Sequence, residues 1–132
     1  TSKGIRKFRE KHSTANYRFY KNFRPEDFIK LLHKADFLIG NSSVGIRETS
    51  YIKTPSINIG DRQLNRERGE NVLDCDYDYN QIRECITSIR DNKFLVKSNS
   101  IYGDGNASSR MVDALNNFDY SFTKTFNSID EK

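Results

Sequence analysis

Apolar residues in this chain fall into short clusters, and the spacing inside each cluster predicts the element that carries it. Over residues 2–12, Ile5 and Phe8 lie three apart among basic residues, a weak helical pattern. Tyr17 to Phe23 alternates aromatic with Arg and Lys side chains and predicts a strand. Proline suits a first helical position, where its missing N–H has no partner to lose, so Pro25 opens a helix that runs to Lys34. Its acids come early and its bases late, and Phe28, Leu31 and Leu32 share one face. Phe37-Leu38-Ile39, stopped by Gly40, and Ser56-Ile57-Asn58-Ile59, stopped by Gly60, predict two buried parallel strands. Ser43 to Ile52 is long enough for the crossover helix between them. Asn71-Val72-Leu73 predicts another strand. Ile82, Cys85, Ile86 and Ile89, at spacings of three and four, predict a helix over 81–89. The turn-rich Tyr102-Gly103-Asp104-Gly105-Asn106 introduces a last helix, Ala107 to Phe118, carrying Met111 and Leu115. Strands alternating with helices define the α/β class with a small parallel sheet.

Composition narrows this picture. A chain of 132 residues suits one domain, expected over residues 1–120, with 121–132 a polar tail that frays. The hydrophobic fraction of 35% is low but far above what disorder requires. No stretch approaches the roughly 20 apolar residues of a membrane span, and Thr1-Ser2-Lys3-Gly4 does not begin a signal peptide, so a soluble cytoplasmic protein is expected. Cys75 and Cys85 form no CxxC pair and have no histidine cluster nearby. Both are expected to be reduced and structural, with no metal site and no cofactor. A net charge of +4 brings an anionic partner into consideration, whether nucleic acid or phosphorylated ligand. Acids and bases are interspersed at 6–11 and 66–70, however, which describes a solvated face better than a phosphate-tracking stripe.

Three polar segments carry chemistry. Gly40-Asn41-Ser42-Ser43-Val44-Gly45-Ile46-Arg47-Glu48 follows a strand end and opens a helix, the place where open α/β sheets bind ligands and where free N–H groups meet anions. Ser42 or Ser43 either caps the helix or turns its hydroxyl to a phosphate. Gly45 permits close approach of a ligand to the backbone, and Glu48, about one turn further in, accepts hydrogen bonds from a sugar diol. The plainer alternative is a serine cap with a solvated glutamate. The second segment runs from Ile59 to Asn71 with Arg62, Arg66 and Arg68. Guanidinium groups there suit a pyrophosphate through planar, paired hydrogen bonds, although a solvated loop is the competing reading. The third, Tyr102 to Ser108, forms either another anion site or a turn with a cap. His12 and His33 have no catalytic partner at any useful spacing, and no GxSxG, P-loop or GxGxxG occurs.

Taken together, Gly40 to Glu48, Thr54-Pro55-Ser56-Ile57-Asn58-Ile59-Gly60, Arg62-Gln63, Arg66, Gly69-Glu70-Asn71-Val72 and Tyr102 to Ala107 resemble the C-terminal domain of UDP-N-acetylglucosamine 2-epimerases. The resemblance extends from Ser2 to about Phe118. The Asn-Ser-Ser loop and the Arg-Gln-x-x-Arg-x-x-Gly-Glu-Asn run resemble the hydrolysing branch that feeds sialic and related acid synthesis. It implies a Rossmann-like parallel sheet forming the C-terminal half of a GT-B fold, with UDP held between two domains. It also implies diphosphate contacts from Ser42 and Ser43, ribose contacts from Glu48, and Arg62 on the phosphate side as the residue assisting catalysis. The reaction implied is elimination of UDP followed by addition of water, giving N-acetylmannosamine. The family enzyme is about three times longer, so a fragment without its N-terminal domain is expected, inactive alone, with UDP-sugar and that domain as partners and self-association a further expectation. Alternatives are a non-hydrolysing or diacetamido-sugar epimerase, another GT-B enzyme, a non-catalytic nucleotide-sugar module, and a nucleic-acid binder.

Overall fold

A computed structural model describes residues 2–91, 94, 96 and 101–118. Its elements are α1 (Ser2–Lys11), α2 (Pro25–Lys34), β1 (Leu38–Gly40), a 3₁₀ turn (Ser43–Gly45), α3 (Glu48–Ile52), β2 (Ser56–Ile59), β3 (Val72–Cys75), α4 (Tyr79–Arg90) and α5 (Ala107–Asn117). The three strands form one parallel sheet in the order β1-β2-β3, with Leu38 opposite Ser56 and Ser56 opposite Val72.

Because side chains alternate across a strand, the register sorts the sheet into two unlike faces. Ile57, Ile59, Leu73 and Cys75 face α4, and Ile82, Cys85, Ile86 and Ile89 of α4 close on them with Phe37 and Phe94. Burial of such groups stabilises by roughly 25 cal/mol per Å² of apolar surface, so this is the principal core. Asp78 caps α4, its Oδ1 accepting from the N–H groups of Asn80 and Gln81 at 3.0 Å each. Burial, and then the adjacent Cys85, push the Cys75 thiol up to about 11, so it stays protonated at neutral pH. The opposite face presents Ser56, Asn58 and Asp74. Polar groups buried there need partners, and Asn58 Nδ2 donates to Asp74 Oδ1 at 2.6 Å.

The structure corrects three expectations. Tyr17 to Phe23 is irregular. Arg18 turns its guanidinium onto the carbonyls of Ala15 and Tyr17, and the rings pair locally, Phe8 with Tyr17 and Tyr20 with Phe23, so the segment joins no ladder. Ser43 to Ile52 is not one helix: Ile46 and Arg47 separate the 3₁₀ turn from the five residues of α3, so Glu48 is the first residue of a new helix. Strand β1 is a sheet edge among the described residues, with Ile39 43% exposed rather than buried. On α2, Leu32 is buried but Leu31 is exposed. The α/β class and the other elements agree with the sequence. The polar tail 121–132 and the boundary at 120 lie outside the described residues.

Candidate functional site

In a parallel sheet the loops that follow β1 and β2 leave from the same edge, which brings the segments 41–43 and 60–71 together. The first begins where Gly40 ends β1. Ser42 caps the 3₁₀ turn through a long contact, Val44 N–H to Ser42 Oγ at 3.4 Å, and Ser43 Oγ has no protein partner among the described residues. Gly45 is buried, and a Cβ there would collide with Ser56 Oγ and press on Leu38 Cδ2 at 3.3 Å. Close packing of the turn on the sheet is therefore a reason for glycine at 45 that sequence reasoning missed.

The second segment is an irregular crossover from β2 to β3 that lies over the polar sheet face. Two buried side chains from the sequence motif fix it. Gln63 Nε2 donates to Asn41 O at 2.9 Å, tying the crossover to the first loop. Asn71 Nδ2 donates to Thr49 Oγ1 at 2.9 Å and to Thr54 O at 3.2 Å, tying its far end to α3. Both are structural, a role hidden in sequence because an amide in a polar run gives no sign of its burial. Of the loop arginines, Arg68 faces inward, while Arg62 is exposed and has no ion pair or hydrogen bond among the described residues.

The third segment folds back on the other two. Tyr102 Oη donates to the carbonyl of Glu67, and the Arg47 guanidinium lies over the Tyr102 ring at 6.0 Å. Asp104 pairs with Arg110, which together with Asn106 holds its carboxyl down at about 2, so Asp104 fixes the turn before α5 as an ionised group. Among Arg47, Glu48, Tyr51, Tyr102, Gly103 and Ala107 lies a cleft of about 500 Å³. Glu48 is half-buried there, and its Oε2 is buried with no donor. Ser42, Ser43, Gly45 and Arg62 do not line this cleft. A ligand touching Arg62 and Glu48 together therefore has to extend beyond this cleft. Among the described residues no group of three or more His, Cys, Asp or Glu could hold a metal ion, and no helix is long and apolar enough to cross a membrane.

A parallel sheet with helices around it and its polar loops gathered at one strand edge is a Rossmann-like α/β unit. The family model described as UDP-N-acetylglucosamine 2-epimerase matches residues 1–116, and the chain belongs to that family. It is 38% identical over 100 residues, 74% of this chain, to a UDP-N,N'-diacetylbacillosamine 2-epimerase (hydrolyzing) of Legionella pneumophila. It is 34% identical over 109 residues, 81% of this chain, to a UDP-N-acetylglucosamine 2-epimerase of Neisseria meningitidis. Against the polysialic acid biosynthesis protein P7 of Escherichia coli it is 34% identical over 113 residues, 83% of this chain. The matched parts are 26%, 29% and 29% of those relatives' own lengths, so the chain spans under a third of each.

Proposed function

We propose that this chain is the UDP-binding part of a hydrolysing 2-epimerase acting in the cytoplasm on UDP-N-acetylglucosamine, releasing UDP and N-acetylmannosamine. The observation that carries the reading is Glu48: a carboxylate oxygen buried without a donor, in a cleft where the third segment meets the first. A buried acceptor left unmatched costs about 1–3 kcal/mol, and the two hydroxyls of a ribose are donors of the right number and spacing to satisfy a carboxylate. Ser42 and Ser43 offer hydroxyls, and Arg62 a free guanidinium, to the diphosphate, where negative charge grows as the bond between sugar C1 and oxygen breaks. Helix α3 has only five residues, so its dipole contributes little and these side chains carry the anion chemistry. The proton at C2 is removed by a group outside this chain, in the remainder of a longer enzyme forming the other half of a GT-B pair. Adjacent, unpaired Cys75 and Cys85 fit a reducing compartment.

A second reading takes a diacetamido sugar in place of N-acetylglucosamine, favoured by the relative at 38% identity. It leaves the UDP contacts unchanged. Calorimetric titration of the chain with UDP, UMP and GDP tests the shared part: UDP should bind most tightly, and equal affinity for all three would remove the site. Assaying the whole protein with both UDP-sugars then separates the two readings.

A further inference from the structure

Arg68 differs from its neighbours in the crossover because its guanidinium is engaged on the protein, two nitrogens by hydrogen bonds and Nε by an ion pair that lacks hydrogen-bond alignment. Nε lies 2.7 Å from Asp74 Oδ2, Nη2 donates to Gln63 O at 2.8 Å, and Nη1 donates to Arg66 O at 2.6 Å. Asp74 is held in turn by Asn58, and Gln63 reaches Asn41 O through its side chain. A continuous set of contacts therefore runs from the middle of the sheet through Arg68 and Gln63 to the loop bearing Ser42 and Ser43. Residue 63 is gripped twice, by its carbonyl and by its amide, and Arg62 is the residue beside it.

We propose that Arg68 is a positioning residue for the diphosphate side of the site: it clamps Gln63 and Arg66 to the sheet and thereby sets both the direction of Arg62 and the shape of the 41–43 loop. Its own charge is consumed by Asp74 and two carbonyls, so it acts on the ligand only through these neighbours. The planar fork matters here. One rigid guanidinium donates to two carbonyls while pairing with Asp74, which a lysine ammonium on a flexible stem cannot reproduce. The inference rests on the UDP reading for its effect on affinity, while the clamp itself is a property of the chain alone.

Two measurements on the full chain test it. By amide hydrogen exchange, Arg68→Ala should accelerate exchange at least ten-fold across residues 61–66 and also at Gly45 and Ile46, whose N–H groups close the turn onto Ser42 and Ser43. Protection in α4 should be unchanged, which shows that the variant is folded. By calorimetry, Arg68→Ala and Arg68→Lys should both lose about ten-fold or more in UDP affinity and less in UMP affinity, shrinking the preference for the second phosphate. Full UDP affinity in Arg68→Lys would make Arg68 a mere source of charge and overturn the proposal. So would equal losses for UDP and UMP. If the unaltered chain does not bind UDP, the nucleotide reading falls, and unchanged exchange at Gly45 and Ile46 in both variants then overturns the clamp independently.

Discussion

At Glu48 the sequence offered a carboxylate near a loop, and the structure adds that one of its oxygens is buried without a donor. Hydrogen bonds to a charged group contribute about 1.5–3 kcal/mol each, so on the ribose reading Glu48→Ala should weaken UDP binding ten-fold or more. Glu48→Gln keeps the shape and one acceptor oxygen and should lose less. Calorimetry on the two variants checks this, and unchanged affinity in Glu48→Ala would return the residue to the solvated alternative. Arg62 differs in kind, since what marks it is the absence of any protein partner among the described residues. Arg68, five positions from Gln63, looks identical to it in sequence. Only the position of Asp74 on β3 separates the bracing arginine from the free one.

At the scale of elements, the irregular crossover 60–71 is held by side chains where a helix would be held by its own backbone. Asn71 is its anchor at the far end, fully buried and bonded to Thr49 and Thr54, while its carbonyl accepts from Ser56 N–H at 2.8 Å. Thr54 Oγ1 in turn donates to the carbonyl of Leu32, so α2 hangs on the same cluster. Asn71→Ala leaves buried acceptors without donors and should cost about 2–4 kcal/mol of stability, read from the midpoint of urea unfolding at constant slope. A midpoint equal to that of the unaltered chain would show that the crossover is anchored elsewhere. The break of Ser43–Ile52 into a 3₁₀ turn and α3 has a related cause: Ser50 Oγ donates to the Arg47 carbonyl at 2.9 Å and Gly45 is pressed against Ser56, so the segment follows the sheet surface rather than a straight helical axis.

At the scale of the whole molecule, the described residues bring the first and third polar segments together around a cleft but no complete set of groups for moving protons. Among the described residues Glu48 is the only carboxylate lining the cleft. Asp104 is bound to Arg110, His12 is stacked on Phe8 in α1 with ring centres 4.7 Å apart, and His33 lies exposed in the last turn of α2. A general acid or base has to come within hydrogen-bond reach of the sugar, and an open cleft forfeits the gain from water exclusion. The chain alone, incubated with UDP-N-acetylglucosamine, should therefore release no UDP. Sustained release at an enzymatic rate, persisting through further purification, would mean that the catalytic groups lie within these residues.

Local patterns were enough to find the parallel strands, α2 and α4, because these bury apolar residues and periodicity records them directly; Ile82, Cys85, Ile86 and Ile89 meet the sheet as their spacing requires, whereas α5, found from the turn before it, has no buried residue among those described. The order of the motifs likewise identified the family, since spacing along the chain is a property of sequence alone. Which polar residues face inward is different information. Gln63, Arg68 and Asn71 differ from Arg62 and Arg66 only in what the parallel sheet sets opposite them, and Tyr17 to Phe23 fails as a strand because pairing needs a neighbour that its own pattern cannot specify. Hydrophobic burial is written residue by residue, whereas a polar contact exists only when a second group arrives at hydrogen-bond distance, and that arrival is decided by the tertiary fold.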